Sequence, residues 1–298
     1  MKPAPFEYQA PAVIEEALSA LAEHGEGAKL LAGGQSLIPA MNFRVVQPAL
    51  LVDLNRLDDL RYIRQEGGSL SVGAMTTQRQ LERDPRVAAS VPLLAQALPY
   101  IAHPQIRNRG TLGGSLVHAD PAAELPVVAV AARATMKARS QEGERWITAE
   151  AFFQGMFVTD LSPGEMLVEV VFPPASPRTG WSFQEVSRRR GDYAMMGVAA
   201  MVSLSEGGDC SAARLVYLNA GDGPVQAAEA VQALVGQWPD LPAIRGAARI
   251  AAEQEIDPLG NVHASVAYQR HLARVLTERA LGEAVKQAQG SGEPRGPE

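Results

Sequence analysis

The chain has a single cysteine, Cys210, in 298 residues. One thiol cannot close an intramolecular disulfide, so a secreted disulfide scaffold is excluded. It also cannot hold an iron–sulfur cluster, which takes four ligands that are usually thiolates. The histidines, His24, His103, His118, His263 and His271, are scattered with no H-x-x-x-H pair or Cys/His cluster, and no protein-bound metal is expected. Excess positive charge is lacking too. The net charge of −6 argues against non-specific binding to nucleic acid or an anionic membrane. The run Arg188-Arg189-Arg190 is too short to reverse this and reads as a solvated turn or a local anion contact. No apolar stretch approaches the roughly 20 residues that span a bilayer. The start, Met1-Lys2-Pro3-Ala4-Pro5, has no apolar signal core, so a cytoplasmic protein is expected. The dinucleotide fingerprint G-x-G-x-x-G and the P-loop triplet Gly-Lys-Ser/Thr are both missing from the glycine-rich stretches.

What is present is an ordinary core and an unusual centre. Apolar residues make up 46% and charged residues 20%, enough for one large domain or two to three smaller ones. The centre is Arg107-Asn108-Arg109-Gly110-Thr111-Leu112-Gly113-Gly114-Ser115. Glycine lets a ligand reach main-chain N–H groups, and successive N–H groups in a turn form a concave anion site. A second stretch of this character, Ala32-Gly33-Gly34-Gln35-Ser36, follows the strand-like run Leu30-Leu31-Ala32. Two glycine-pair turns, each ending in serine, suit a pyrophosphate gripped from both sides. The competing reading is that Gly-Gly pairs are ordinary turns.

Along the chain, Ile14, Ala17, Leu18 and Leu21 mark a helix ended by Gly25. Leu37 to Arg44 is mixed. Leu50–Leu54 and Leu70–Ala74 read as strands. Thr76 or Thr77 is placed to cap a short helix through Leu81, stopped by Pro85. Val91 to Ile101 reads as a buried helix. Behind the central glycines come Asp120 and Glu124. They suit hydrogen bonds from ribose hydroxyls or ring N–H groups, or Asp120 N-caps a helix starting at Pro121. Val127 to Ala132 is a helix end or a strand; Ala134–Ala138 and Glu165–Phe172 read as strands. Pro173 to Gly180 reads as a domain linker. Ser182–Ser187, Met195–Leu204 and Ala212–Asn219 then form the pattern of an antiparallel meander. Helical patterns follow at Ala227–Leu234, Leu241–Ala252 and Ser265–Leu281, and Lys286 to Glu298 reads as a disordered tail.

Leu30-Leu31-Ala32-Gly33-Gly34-Gln35-Ser36-Leu37, Thr111-Leu112-Gly113-Gly114-Ser115 and His118-Ala119-Asp120-Pro121-Ala122-Ala123-Glu124-Leu125-Pro126 together resemble the FAD-binding medium subunit of the molybdenum hydroxylases. That family includes aerobic carbon monoxide dehydrogenase, the xanthine dehydrogenases and bacterial N-heterocycle hydroxylases. The resemblance extends to Arg188–Ala194 and to Tyr268-Gln269-Arg270-His271-Leu272. It implies an α+β fold with a two-part FAD domain of the PCMH, vanillyl-alcohol-oxidase-like kind over 1–175, its parts about 1–57 and 58–175. A C-terminal α+β domain with an antiparallel sheet and helices follows over 176–285, then a tail over 286–298. It implies that Ala32 to Ser36 and Thr111 to Ser115, Gly113 and Gly114 among them, hold the FAD pyrophosphate. Glu124 matches an acidic position that contacts FAD in the xanthine dehydrogenase branch, and Ile101 one that lines the cofactor pocket there. Lys29, Leu31, Leu37 and Leu167 carry over by position. Tyr193 matches a segment near the flavin ring, where an aromatic covers one ring face; a core tyrosine is the competing reading. Ser115 stands where the family often has Asn, and still offers a donor and an acceptor.

The resemblance also implies partners: a large molybdenum-cofactor subunit and a small [2Fe-2S] subunit, in a dimer of heterotrimers. The chain would take electrons from the clusters and pass them to an external acceptor, with the protein supplying binding and electrostatics. No nucleophile–base pair is evident in this sequence, and Ser36 and Ser115 lack the Gly-x-Ser-x-Gly context of an esterase. Two rival readings are a self-contained FAD oxidase or reductase, and a non-redox nucleotide-binding module.

Overall fold

A computed structural model describes residues 1–290. The chain divides into two compact units that do not follow its linear order. The first joins 1–90, 102–120 and 133–173; the second joins 91–101 and 121–132 to the residues from 174 onward.

In the first unit, strands β1 (Glu7–Gln9), β2 (Ala28–Leu31) and β3 (Leu50–Asp53) form a parallel sheet in the order β1-β3-β2. Helix α1 (Ile14–His24) crosses between β1 and β2 and buries Ala17, Leu18, Ala20 and Leu21. They pack with Ala28, Leu50 and Val52 from the strands, giving the sheet its core. Beyond β2 lies the short helix α2 (Leu37–Asn42).

The second sheet of this unit is antiparallel. Its strands β4 (Ile63–Glu66), β5 (Ser69–Gly73), β6 (Thr135–Arg139), β7 (Glu144–Thr148) and β10 (Met166–Phe172) lie in the order β4-β5-β10-β6-β7. The central place of β10 explains its almost unbroken apolar sequence, since a strand covered on both faces has no polar alternation. A two-stranded ribbon, β8 (Phe153–Gly155) with β9 (Val158–Thr159), lies outside both sheets. Helix α3 (Gln78–Arg83) opens with a capping box between Thr77 and Gln80, the local signal that Thr77 carries in the sequence. Helices α4 (Pro85–Ser90), α6 (Pro104–Arg107), α7 (Leu112–His118) and α9 (Ala149–Phe152) complete the unit.

The second unit is built on the meander β11 (Thr179–Ser187), β12 (Ala194–Leu204), β13 (Cys210–Leu218) and β14 (Val225–Gln226). Helices α10 (Ala228–Leu234), α11 (Leu241–Ile250) and α12 (Val266–Gln289) follow. Met196, Val198, Ala200 and Val202 alternate along β12 and pack with Leu272, Leu276, Ala280 and Ala284 of α12. On β11, Phe183 pairs with Ala199 of β12, and its ring meets Tyr100 edge-on at 5.3 Å. Gln96 of helix α5 (Pro92–Ala97) accepts the Phe183 amide at 2.8 Å. Helix α8 (Glu124–Ala131) is buried from Leu125 to Ala131 and lies against β12 and β13. Two early segments of chain thus serve the later sheet.

The structure corrects several local expectations. The central glycine stretch is the first turn of α7 rather than a turn, with Thr111 as its N-cap. The helix after Pro121 begins at Glu124 with Ala123 at the cap position, so Asp120 does not cap it. Of the two readings of Val127 to Ala132, helix holds, since α8 runs to Ala131. The expected tail starts too early: α12 continues through Lys286 to Gln289 because Ala284, Val285 and Ala288 are buried in the core. Residues 291–298 of that tail lie outside the described residues.

One buried polar pair ties α12 to the sheet. Thr277 Oγ1 donates to the Ala273 carbonyl and lies 2.6 Å from Tyr217 Oη. Its single proton is committed to Ala273, so Tyr217 is the donor to Thr277. Thr277→Val removes the acceptor and leaves a buried hydroxyl unpaired, which costs about 1–3 kcal/mol. Tyr217→Phe removes the donor and leaves Thr277 bonded, so it should cost less. Urea denaturation followed by circular dichroism checks this order, and the double variant should fall closer to Tyr217→Phe than to Thr277→Val.

Candidate functional site

Strands β2 and β3 run parallel and end side by side, Leu31 opposite Asp53. The carboxyl ends of parallel strands are where open sheets place ligands. A cleft of about 390 Å3 opens there, within the first unit. Residues 31–35 with Ile38 and Pro39 form one wall, Asp53 and Asn55 another, and Ile106 and Arg109 a third.

The loop from Ala32 to Ser36 is held from both sides. Gly34 has φ +73°, a left-handed conformation that side-chain-bearing residues resist. Gly33 lies against the main chain of Arg109 and Gly110: a Cβ there would overlap the Arg109 carbonyl and stand 2.8 Å from Gly110 Cα. Gln35 Nε2 donates to the Gly33 carbonyl at 2.9 Å, and Asn55 Nδ2 to the Ala32 carbonyl at 3.1 Å. The carbonyls of this loop are therefore turned toward the protein. No acceptor among the described residues takes the amides of Gly33, Gly34, Gln35 and Ser36. Four successive donors are left without an acceptor, three of them on cleft-lining residues and the fourth, Ser36, on the next residue, an arrangement suited to an anion.

The second glycine stretch behaves differently. Leu112 N donates to Thr76 O at 2.9 Å, Gly113 N to Ala74 O at 2.9 Å, Gly114 N to Thr111 Oγ1 at 3.0 Å and Ser115 N to Thr111 O at 3.2 Å. Its amides are used inside the protein, contrary to the sequence expectation of two matching donor turns. What it presents is the bare Cα of Gly114 and the Ser115 hydroxyl, both partly exposed. A Cβ on Gly114 would stand 3.4 Å from Ala32 Cβ and 2.8 Å from Thr111 Oγ1. The two stretches, 80 residues apart, therefore meet.

Charge at the cleft is balanced. Burial pushes the Asp53 carboxyl up, but hydrogen bonds from Tyr8 and Asn55 and the nearby Arg109 charge outweigh it and hold the group below the usual carboxylate range. Tyr8 Oη donates to Asp53 at 2.7 Å and the Asn55 amide at 2.9 Å. Asp53 is thus an ionised acceptor beside a strip of donors.

Of the residues singled out in the sequence, Leu31 to Gln35 line the cleft. Ser36 and Leu37 open α2 next to it, and Thr111, Gly113, Gly114 and Ser115 begin α7. Lys29 is exposed on β2, Asp120 follows α7, and Leu167 is buried in β10 at 4% exposure. Ile101, Glu124 and Tyr193 belong to the second unit. Tyr193 is 77% exposed, which overturns the reading of it as a core tyrosine. Asp53, Asn55 and Arg109 are cleft residues that the sequence reading did not select. For Asp53 and Asn55 the available signal was their place at the end of a buried parallel strand, and for Arg109 its place in the central glycine stretch.

Residues 4–175 match the family model described as the FAD binding domain in molybdopterin dehydrogenase, and 181–284 match the CO dehydrogenase flavoprotein C-terminal domain. The chain is 43% identical over 288 residues to the 6-hydroxypseudooxynicotine dehydrogenase complex subunit alpha of Paenarthrobacter nicotinovorans, covering 97% of each. It belongs to the FAD-binding medium subunits of the molybdenum hydroxylases. A chain of quinoline 2-oxidoreductase from Pseudomonas putida 86 superposes with a TM-score of 0.91 at 42% identity, over 97% of this chain and 99% of that one. A chain of carbon monoxide dehydrogenase from Hydrogenophaga pseudoflava, in a form lacking the Mo-pyranopterin moiety, gives 0.93 at 38% identity, over 96% and 99%. The two-domain α+β fold and FAD as the cofactor of this medium-subunit family follow.

The family's acidic position, Glu124, stands in the second unit beside a second carboxyl. Burial pushes Glu185 up to about 8, and the Glu124 charge adds to the shift. Glu185 Oε2 is buried without a hydrogen-bond partner among the described residues. A carboxyl raised in the folded state binds a proton that the unfolded chain has already released. Stability is therefore greatest at low pH and lost as pH rises from the ordinary carboxylate value toward about 8. Glu185→Gln, which mimics the protonated form, should flatten this decline, whose slope is at most about 1.4 kcal/mol per pH unit. Thermal melts of both proteins between pH 5 and 9 measure the difference.

Proposed function

We propose that this medium subunit is an electron-transfer flavoprotein that works beside a large molybdenum-cofactor subunit and a small [2Fe-2S] subunit. It receives electrons from the clusters and passes them to an external acceptor. The observation that carries the reading is the strip of four unpaired amides, Gly33 to Ser36, at the carboxyl ends of β2 and β3. In a chain of this family, those amides are the donors for the FAD diphosphate.

The residues fit that role by their chemistry. Gly33 and Gly34 keep the loop bare of side chains, so an anion reaches the main chain directly. Gly114 keeps the facing helix equally bare, and Ser115 adds a hydroxyl that donates or accepts. Asp53 and Asn55 fix the loop's orientation through the Ala32 carbonyl and the Asn55 amide. When bound, FAD supplies the redox chemistry, and the protein supplies placement and electrostatics. Glu124, Ile101 and Tyr193 are proposed as contacts to the rest of the cofactor, on the family's pattern. Lys29, Leu31, Leu37, Asp120 and Leu167 are proposed by position alone.

The partners rest on the company the chain keeps. Its relatives carry names such as complex subunit alpha and medium chain, which describe parts of larger enzymes. A dimer of heterotrimers acting in the cytoplasm is the assembly we propose. Choice of substrate falls to the large subunit; the relatives' names span a nicotine derivative, caffeine and carbon monoxide.

Two experiments test these statements. Gly114→Val pushes a branched side chain between Thr111 and Ala32, so flavin per protein after purification should drop at least tenfold with the far-ultraviolet dichroism unchanged. Ser115→Ala is the milder variant, and should weaken FAD binding roughly 3- to 10-fold, the loss of one hydrogen bond. Full flavin occupancy in both would overturn the placement. For the relay, the flavin absorbance of the co-purified three-subunit enzyme should bleach when substrate is added, while the subunit alone holds flavin and oxidises nothing. Turnover by the isolated chain would instead mark a self-contained oxidase.

A further inference from the structure

Helices α11 and α12 of the second unit form a cleft of about 490 Å3 lined by Arg245, Gly246 and Arg249 from one helix and Arg274 and Glu278 from the other. The contacts at its two ends fix the register. Arg245 Nε lies 3.6 Å from Glu278 Oε2. Arg270 donates to the carbonyls of Ala252 and Glu253 at 2.9 and 3.1 Å. Going up one helix means going down the other, so the pair is antiparallel. Between those two levels, Arg249 on α11 stands at the level of Arg274 on α12. Successive levels are about 6 Å apart, the rise of four helical residues.

At the outer levels each arginine meets an acceptor. At the middle level arginine meets arginine. Arg249 has a partner along its own helix chain, Glu253 at 3.4 Å. Arg274 has neither an ion pair nor a hydrogen bond among the described residues. Within the lining, three guanidiniums face one carboxylate. Glu253 answers Arg249 from outside the lining, so one positive charge, that of Arg274, is left without a counter-charge among the described residues, in a chain whose net charge is −6. Gly246 adds an independent observation. A glycine inside a helix is unfavourable relative to alanine, yet nothing lies within 4 Å of where its Cβ would be. The packing of the two helices does not require a glycine there, and the missing side chain leaves that part of the cleft open.

We propose that this cleft binds a phosphate-bearing small molecule, with Arg249 and Arg274 holding the phosphate between them and Arg245 at its edge. A phosphate supplies the negative charge that Arg274 lacks, and guanidinium groups meet its oxygens in paired hydrogen bonds. The site is built from the second unit alone, shares no residue with the proposed FAD loop and does not depend on that reading.

Isothermal titration of the FAD-loaded full-length chain with inorganic phosphate and with pyrophosphate tests the site. One equivalent should bind. Arg274→Gln should weaken binding at least tenfold, the worth of a hydrogen bond to a charged group. Gly246→Leu should abolish it by filling the cleft without removing a charge. Flavin content should stay constant in both, which separates this site from the FAD loop. Unchanged phosphate binding in both variants, or none in the wild type, overturns the proposal. So does binding to the isolated chain that disappears in the three-subunit enzyme, because a carboxylate of a partner would then complete the rung.

Discussion

The first unit depends on one close approach of main chain to main chain. Gly33 sits where any side chain would strike the Arg109 carbonyl. That contact holds the loop after β2 against the turn that leads into α7, and one step further on the bare Gly114 faces the Ala32 side chain. Parallel strands put their carboxyl ends together, but only glycine lets a loop from one sheet close on a helix from the next without leaving a gap. The cleft is the space that remains beside this junction.

The same junction decides which amides are available. Each backbone N–H in a folded chain needs an acceptor. Those of Leu112 to Ser115 find theirs in Thr76, Ala74 and Thr111, because α7 is docked by its first turn. Those of Gly33 to Ser36 find none among the described residues, and Gln35 and Asn55 hold the loop through its carbonyls. Two similar sequences thus acquire different roles: one loop donates, and the other supplies a bare surface and a hydroxyl. Asp53, kept ionised by Tyr8 and Asn55 despite its partial burial, completes a site with both donors and an acceptor.

The second unit is governed by apolar burial. Helix α8 is apolar all round, and such a helix has to be covered on every side. It meets β12 and β13, and α5 meets β11 through Phe183. The opposite face of the meander takes α12, whose long row of small residues lets it lie close to the strands. Charge plays its part at the surface, where α11 and α12 pair arginine with acceptor at two levels and arginine with arginine between them.

The sequence by itself determined the local elements with strong patterns. The alternating strands of the meander, the Thr77 cap, the buried β3 and β10 and the helical spacing of α11 and α12 are all set by side-chain periodicity and capping within a few residues. It also determined the family, since glycine pairs with fixed neighbours are a local property. Tertiary structure decided what periodicity cannot encode. Residues 91–101 and 121–132 read as apolar segments of the early chain, yet their partners lie beyond residue 174. Asp53 and Arg109 came to line the cleft through a strand pairing and a glycine contact spanning dozens of positions. The division of labour between the two glycine stretches followed from which acceptors lay nearby, and hydrogen-bond partners from distant segments are chosen only when the chain has folded.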